Sequence, residues 1–258
     1  VVKKIFVLIL IGSLGANFFS IYILEKALFY RKNLTHIEKK FPNQGLHIRS
    51  VKQISDSGFD KVAAFIGGSF VKFWFFPDDL PLKISNQGGL EDKISQDYGK
   101  MQNDIIGSGT DYVFINSGFC EIHTAINSER NVDEVIDKNF AMLKKIIFLA
   151  QNDNITPVLT TLTPVRPVFL FPYSRSFSIG SVYKDRENNA IEAYNFKIKK
   201  YAVDNNLYLI DFHNAVKDKH GILKKEFSIT DGEHLDIGAY NYLNSFLRKE
   251  IKKIINKK

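Results

Sequence analysis

Val62-Ala63-Ala64-Phe65-Ile66-Gly67-Gly68-Ser69 decides the fold: an unbroken apolar run, two glycines, then a serine. A run this short and this apolar reads as a strand buried on both faces, with the glycines forming the tight turn that ends it. Similar runs recur at Tyr112 to Ile115, Thr156 to Leu162 and Leu207 to Ile210, and a shorter one, Leu82 to Ile84, precedes Asn86-Gln87-Gly88-Gly89. Helical patterns lie between them. Val132 to Ala150 repeats apolar residues at Val135, Ile136, Phe140, Leu143, Ile146, Ile147 and Ala150, a stripe of helical period, and Ile191 to Val203 and Tyr240 to Ile255 behave likewise. Such alternation implies parallel strands joined by right-handed crossovers. The expectation is a three-layer α/β/α domain over residues 59–258, built on a flavodoxin-like parallel sheet of about five strands. Sites in these sheets form in the crevice at the carboxyl ends of the strands.

Every chemically suggestive motif falls just after one of these runs or just before the last helix. Ser69 follows the first strand directly, where a hydroxyl is exposed at the sheet edge beside its own N–H. A Gly-Gly-Ser at that place also reads as a turn with a helix cap. Asp231-Gly232-Glu233-His234 precedes the last amphipathic helix. Serine is a weak nucleophile and needs a base, for which His is the usual choice, with a carboxylate fixing its tautomer. The three-residue spacing lets Asp231 reach the Nδ1 side of His234 and leaves Nε2 for Ser69. The other reading of this loop is a polar helix start, with Asp231 or Asp236 as its cap. Cys120 lies near His123, so a thiol nucleophile is a further option; such a thiol needs an electropositive partner, and a small residue beside a pocket is the simpler reading.

Taken together, Gly67-Gly68-Ser69, Asn86-Gln87-Gly88, Ile115 to Ile122 and Asp231-Gly232-Glu233-His234 resemble, in order, the four blocks of the SGNH (GDSL-like) hydrolase family, across about residues 60–250. The resemblance implies the SGNH hydrolase fold. It also implies acyl-ester hydrolysis through an acyl-enzyme, with Ser69 as nucleophile, His234 as base and Asp231 as its orienting carboxylate. The N–H groups of Ser69 and Gly88 would form the oxyanion hole, and no cofactor or metal would be needed. Two positions depart from the pattern. Gly68 stands where the family has Asp, and Cys120 stands where it has the oxyanion-hole Asn. A thiol is a weak donor, and one lost oxyanion donor typically costs about 10²–10³ in turnover. Asn116 is a replacement candidate but lies upstream, in the strand. The resemblance therefore leaves three readings: a hydrolase of lipid esters or O-acetylated glycans, an acyltransferase using the same triad, or a weak or inactive glycan- or lipid-binding relative.

The stretch Thr163 to Tyr183 is long, aromatic and proline-bearing, and reads either as a lid or binding loop or as an ordinary insertion packed on the core. Arg166, Phe169, Phe171 and Tyr173 are its candidate substrate contacts, with Arg166 or Arg175 facing an anionic group.

Ile5 to Leu24 is uncharged and preceded by Lys3 and Lys4. On a helix it would rise about 30 Å, the thickness of a bilayer's hydrocarbon core. Residues 1–24 are expected to be a signal anchor, or a signal peptide cleaved near Ser13-Leu14-Gly15. Residues 25–58 are expected to be a membrane-proximal linker, with the turn Phe41-Pro42-Asn43-Gln44-Gly45 and a short strand around Leu46 to Val51. The domain is expected outside the cytoplasmic membrane. The net charge is +7, but no Arg-rich helix or aromatic platform accompanies it, which argues against nucleic acid as a partner. The single cysteine excludes an intramolecular disulfide and a multi-cysteine metal site, and the six histidines show no ligand spacing.

Overall fold

A computed structural model describes residues 60–167, 177–229 and 231–256. The expected anchor and linker (1–24 and 25–58), and the loop residues Phe169, Phe171, Tyr173 and Arg175, lie outside the described residues. No helix among the described residues is long and apolar enough to cross a membrane.

In chain order the elements are β1 (Val62–Gly67), α1 (Ser69–Lys72), β2 (Lys83–Gly88), α2 (Ile94–Lys100), β3 (Tyr112–Asn116), α3 (Phe119–Asn127), α4 (Val132–Asn152), β4 (Thr156–Thr160), α5 (Phe177–Asp204), β5 (Tyr208–Ile210), α6 (Phe212–Val216) and α7 (Ile237–Ile255). The five strands pair in parallel in the order β2-β1-β3-β4-β5. The alternation read from the sequence thus produces the expected doubly wound sheet.

Side-chain alternation divides the core into two layers. Val62, Ala64 and Ile66 of β1 point into the layer formed by α2, α3, α4 and α5, where Ile122, Leu143, Ile146 and Tyr194 are buried. Ala63 and Phe65 point the other way, onto α1, α6 and α7, among Trp74, Phe212, Leu243 and Leu247. A strand buried on both faces needs apolar residues at every position, which is why the first run has no polar interruption.

Three boundaries differ from the sequence reading. β2 continues past the apolar run Leu82 to Ile84 through Asn86-Gln87-Gly88, because its polar side chains find partners: Gln87 Nε2 donates to Ser85 Oγ at 2.6 Å, while Ile66 and Gly67 of β1 stay in register with Gln87 and Gly88. β4 ends at Thr160, short of Leu162. There the Asn195 amide takes over the sheet's role, accepting from Leu162 N–H at 2.8 Å and donating to Leu162 O at 2.9 Å. α5 starts at Phe177, well before the expected Ile191, which shortens the expected binding loop. A wholly polar run from Lys184 to Asn189 interrupts the stripe; within it, Asn188 grips Val165 N–H and C=O at 2.9 and 3.0 Å.

Asn86 carries the most consequential of these amide contacts. Its Nδ2 donates to the carbonyls of Val71 and Trp74 at 2.7 and 2.8 Å, and its Oδ1 accepts from Gly88 N–H at 2.9 Å. One side chain of β2 thereby satisfies the end of α1. Asn86→Ala leaves these main-chain groups without that partner and should lower stability by about 2 kcal/mol, read as a fall in the denaturant midpoint at unchanged slope.

Beneath β2 and β3 lies a buried carboxyl, Asp97. It accepts from Ser117 Oγ at 2.6 Å and has Lys100 Nζ at 3.3 Å. Burial outweighs both and raises its pKa from 3.8 to about 6. The folded chain therefore holds this proton more tightly than the unfolded chain, so its contribution to stability falls as pH rises from about 4 to about 6. Asp97→Asn should remove about 2–3 kcal/mol of that fall, measured as the difference between variant and parent in denaturant unfolding across that window.

Candidate active site

Ser69 is placed by three close approaches. Gly67 adopts φ +153°, and a Cβ there would sit 2.4 Å from the Asn116 carbonyl on β3, so the chain can turn at this point only with glycine. Gly88 allows α1 to lie directly on β2; a Cβ on it would meet Lys72 N at 2.3 Å. From the other side, Tyr240 of α7 donates its hydroxyl to Phe70 O at 2.9 Å. The result is a serine at the first helical position after β1. β1 is flanked by β2 and β3, so Ser69 stands where the strand order reverses, at the crevice expected of such sheets.

The C-terminal motif comes to the same place. His234 Nε2 lies 3.1 Å from Ser69 Oγ, and His234 Nδ1 lies 2.7 Å from Asp231 Oδ2. The other Asp231 oxygen, Oδ1, accepts the N–H groups of Glu233 and His234 at 2.9 and 3.0 Å. Burial alone would raise the Asp231 pKa; the bonds from His234 and the two N–H groups overcome it and hold the carboxyl at about 2. A carboxylate ionised at all ordinary pH values demands a proton on Nδ1. That leaves the Nε2 lone pair facing the serine hydroxyl. Asp236, not Asp231, caps α7, accepting from Ala239 N–H at 2.7 Å, so the two aspartates divide the roles that were open in the sequence. The ring of Phe73 meets His234 edge-on, with centroids 5.8 Å apart.

The pocket over Ser69 is closed by Asn116, Phe119 and Cys120 from the β3 end, Leu162 and Thr163 from the β4 end, and Asp92 after β2. Asp92 is paired with Lys100, whose Nζ also donates to Gln87 O at 2.6 Å, so no uncompensated charge from it faces the crevice. Glu233 lines the same pocket beside His234. Phe119, Thr163, Asp92 and Glu233 were not candidates from the sequence. Glu233 alone had a signal, its place inside the Asp-x-x-His motif.

The oxyanion donors that the resemblance implies are only partly in place. The Ser69 N–H sits in the first turn of α1, where no intrahelical acceptor exists. The Gly88 N–H is taken by Asn86 Oδ1, and Gly88 does not line the pocket. Cys120 does line it, and its Sγ lies 3.3 Å from where a Cβ on Gly68 would be. Burial, followed by the nearby charges of Glu121 and Asp97, pushes the thiol up to about 12, so it is neutral and no nucleophile. The His123 imidazole is engaged away from it, by Glu187 at 2.7 Å and Asn127 at 2.8 Å. Asn116 reaches the pocket wall, but its Nδ2 is spent on Thr160 Oγ1 and Thr161 O at 2.8 and 3.1 Å.

Arg166 corrects its expected role as a substrate contact. Its guanidinium donates to Leu223 O at 2.6 Å and Asp218 Oδ2 at 2.7 Å, and its own N–H donates to Gly232 O at 2.7 Å. It straps the loop Asp231–His234 to the segment after α6 and does not line the pocket.

No family model and no curated protein matches the chain. Solved structures do. A GDSL-like lipase from Bacteroides thetaiotaomicron superposes with a TM-score of 0.58 at 22% identity, over 75% of this chain and 89% of that one. An acetyl xylan esterase from Geobacillus stearothermophilus gives 0.58 at 14% identity, over 75% and 95%. Another acetyl xylan esterase gives 0.56 at 19% identity, over 75% and 99%. At such identities the likeness is one of architecture: the chain has the α/β/α fold of the GDSL-like hydrolases.

Proposed function

We propose that the chain is a serine carboxylic-ester hydrolase of SGNH type. The observation that carries this reading is the continuous relay Ser69 Oγ to His234 Nε2 at 3.1 Å and His234 Nδ1 to Asp231 Oδ2 at 2.7 Å, built from segments far apart in sequence. In this reading His234 takes the Ser69 proton as Oγ attacks the ester carbonyl. Asp231 stabilises the imidazolium that forms and stays ionised itself. His234 then returns the proton to the departing alcohol. Water, activated by the same imidazole, hydrolyses the acyl-serine. The Ser69 N–H holds the developing oxyanion.

The substrate we infer is an acyl ester of a lipid or an O-acetylated glycan. The acetyl xylan esterases among the structural neighbours support the second. The uncharged run Ile5 to Leu24 supports a site at a membrane surface, outside the cytoplasm. The engaged Gly88 N–H and the thiol of Cys120 favour a slow enzyme.

With a short-chain chromogenic ester, the full chain should turn over substrate and Ser69→Ala should lose at least about 10³-fold in kcat. A serine-directed phosphonate should label Ser69. Equal rates for parent and variant, with no labelling, would remove the hydrolase reading. Comparing acetyl, butyryl and long-acyl esters then separates glycan deacetylation from lipid hydrolysis.

Cys120→Asn supplies a carboxamide donor at the pocket wall and should raise kcat by about 10-fold or more with KM little changed. An unchanged kcat in a folded variant means that position 120 does not face the oxyanion.

A further inference from the structure

His123 of α3, Glu187 of α5 and Glu233 of the catalytic loop converge beside the pocket, each offering one ligand atom, all within 4.8 Å of one another. From these residues we propose a divalent transition-metal site, with His123 Nδ1, one Glu187 oxygen and one Glu233 oxygen as ligands. The site is independent of the ester chemistry proposed above.

The donor set has the composition such an ion takes. One neutral imidazole and two carboxylates balance a dication, and imidazole with carboxylate suits Zn²⁺. The distances are close to what is needed. Nδ1 lies 2.7 Å from Glu187 Oε1 and 3.8 Å from Glu233 Oε1. Tetrahedral bonds of about 2.0–2.1 Å would set these separations at about 3.3 Å, midway between the two. The first pair opens slightly and the second closes slightly, without moving a helix. At 2.7 Å the Nδ1–H of His123 donates to Glu187 Oε1 in the metal-free chain, and a bound metal would replace that proton.

The surroundings fit a ligand histidine. In the metal-free chain Asn127 Nδ2 donates to His123 Nε2 at 2.8 Å, which puts the imidazole proton on Nδ1; metal binding moves that proton to Nε2, and the Asn127 amide turns over to accept it. Phe119 stacks on the imidazole at 6.0 Å and fixes the ring plane. Glu187 is buried, with 4% of its side chain exposed, whereas His123 and Glu233 are 33% and 18% exposed, so the ion enters from the solvent side and keeps a place for water. Since Glu233 N–H bonds to Asp231 Oδ1, the bound ion would also tether the loop that carries the triad.

The test is calorimetric titration of the chelator-treated full chain with Zn²⁺. One equivalent should bind with Kd at or below the micromolar range (about 10⁻⁶ M), and His123→Gln and Glu187→Gln should each weaken it at least about 10-fold. Co²⁺ in the parent protein should give the visible absorption of a four- or five-coordinate N/O site, absent in His123→Gln, whose half-buried position spares the fold. Absence of saturable binding in the parent would show a proton-bridged cluster only and overturn the proposal. Undiminished binding in His123→Gln overturns it too, by placing the ion elsewhere. Both readouts are taken without an ester, so an inactive hydrolase leaves the result interpretable.

Discussion

A parallel sheet stops hydrogen-bonding at its carboxyl edge, yet this edge is where the chain must bring its reactive groups close together without water to satisfy the backbone. Every buried N–H and C=O there needs a partner. In this protein asparagine side chains supply many of them. Asn86 holds the end of α1, Asn116 bridges β3 to the end of β4, Asn139 donates to Gly118 O at 3.0 Å, and Asn188 and Asn195 grip Val165 and Leu162. A carboxamide donates and accepts at once, so one side chain mimics a strand neighbour where none remains. Ser69, Phe119 and Thr163 all stand on segments fixed in this way.

The same economy shapes the loop Asp231–His234. Its carbonyl at Gly232 is taken by Arg166 N–H, its hinge into α7 is capped by Asp236, and Asp231 is left with one oxygen for two backbone N–H groups and the other for the imidazole. The two backbone bonds hold the carboxylate independently of the contact to the imidazole, and in the proposed reaction such a preorganised carboxylate needs no rearrangement.

How much of this was legible in the sequence follows from range. Period and apolarity are local, so the strand-helix alternation, the three layers and the placing of Ser69 and His234 could be read directly. What could not be read are partners chosen at a distance. Nothing local says that Asn86-Gln87-Gly88 is still strand, since its polar residues are stabilised by α1 and by Ser85. The early start of α5 was hidden because Lys184 to Asn189 is a wholly polar run, in which Glu187 and Asn188 are buried on polar partners and not in an apolar stripe. Arg166 looked like a substrate contact because the Asp218 that neutralises it lies 52 residues away. The His123-Glu187-Glu233 cluster escaped for the same reason: ligand spacing along a chain detects sites only when two ligands share a turn or helix.

Positions 68 and 120, where the chain departs from the pattern it resembles, are neighbours in the pocket. Gly68 has no side chain, and Cys120 Sγ occupies the space beside it, 3.3 Å from the missing Cβ. The substitution Gly68→Asp would press a Cβ against that sulfur, and the new carboxylate would add negative charge near Asp92, Asp97 and Glu121, which already raise the thiol pKa. Glycine at this position is thus the residue that tolerates Cys120, and a neutral sulfur is the group that tolerates the surrounding carboxylates. Restoring a strong donor at position 120 alone therefore works with the existing Gly68, whereas Gly68→Asp alone would work against Cys120. The order in which the two positions are changed matters to the pocket's chemistry, because they share one wall of it.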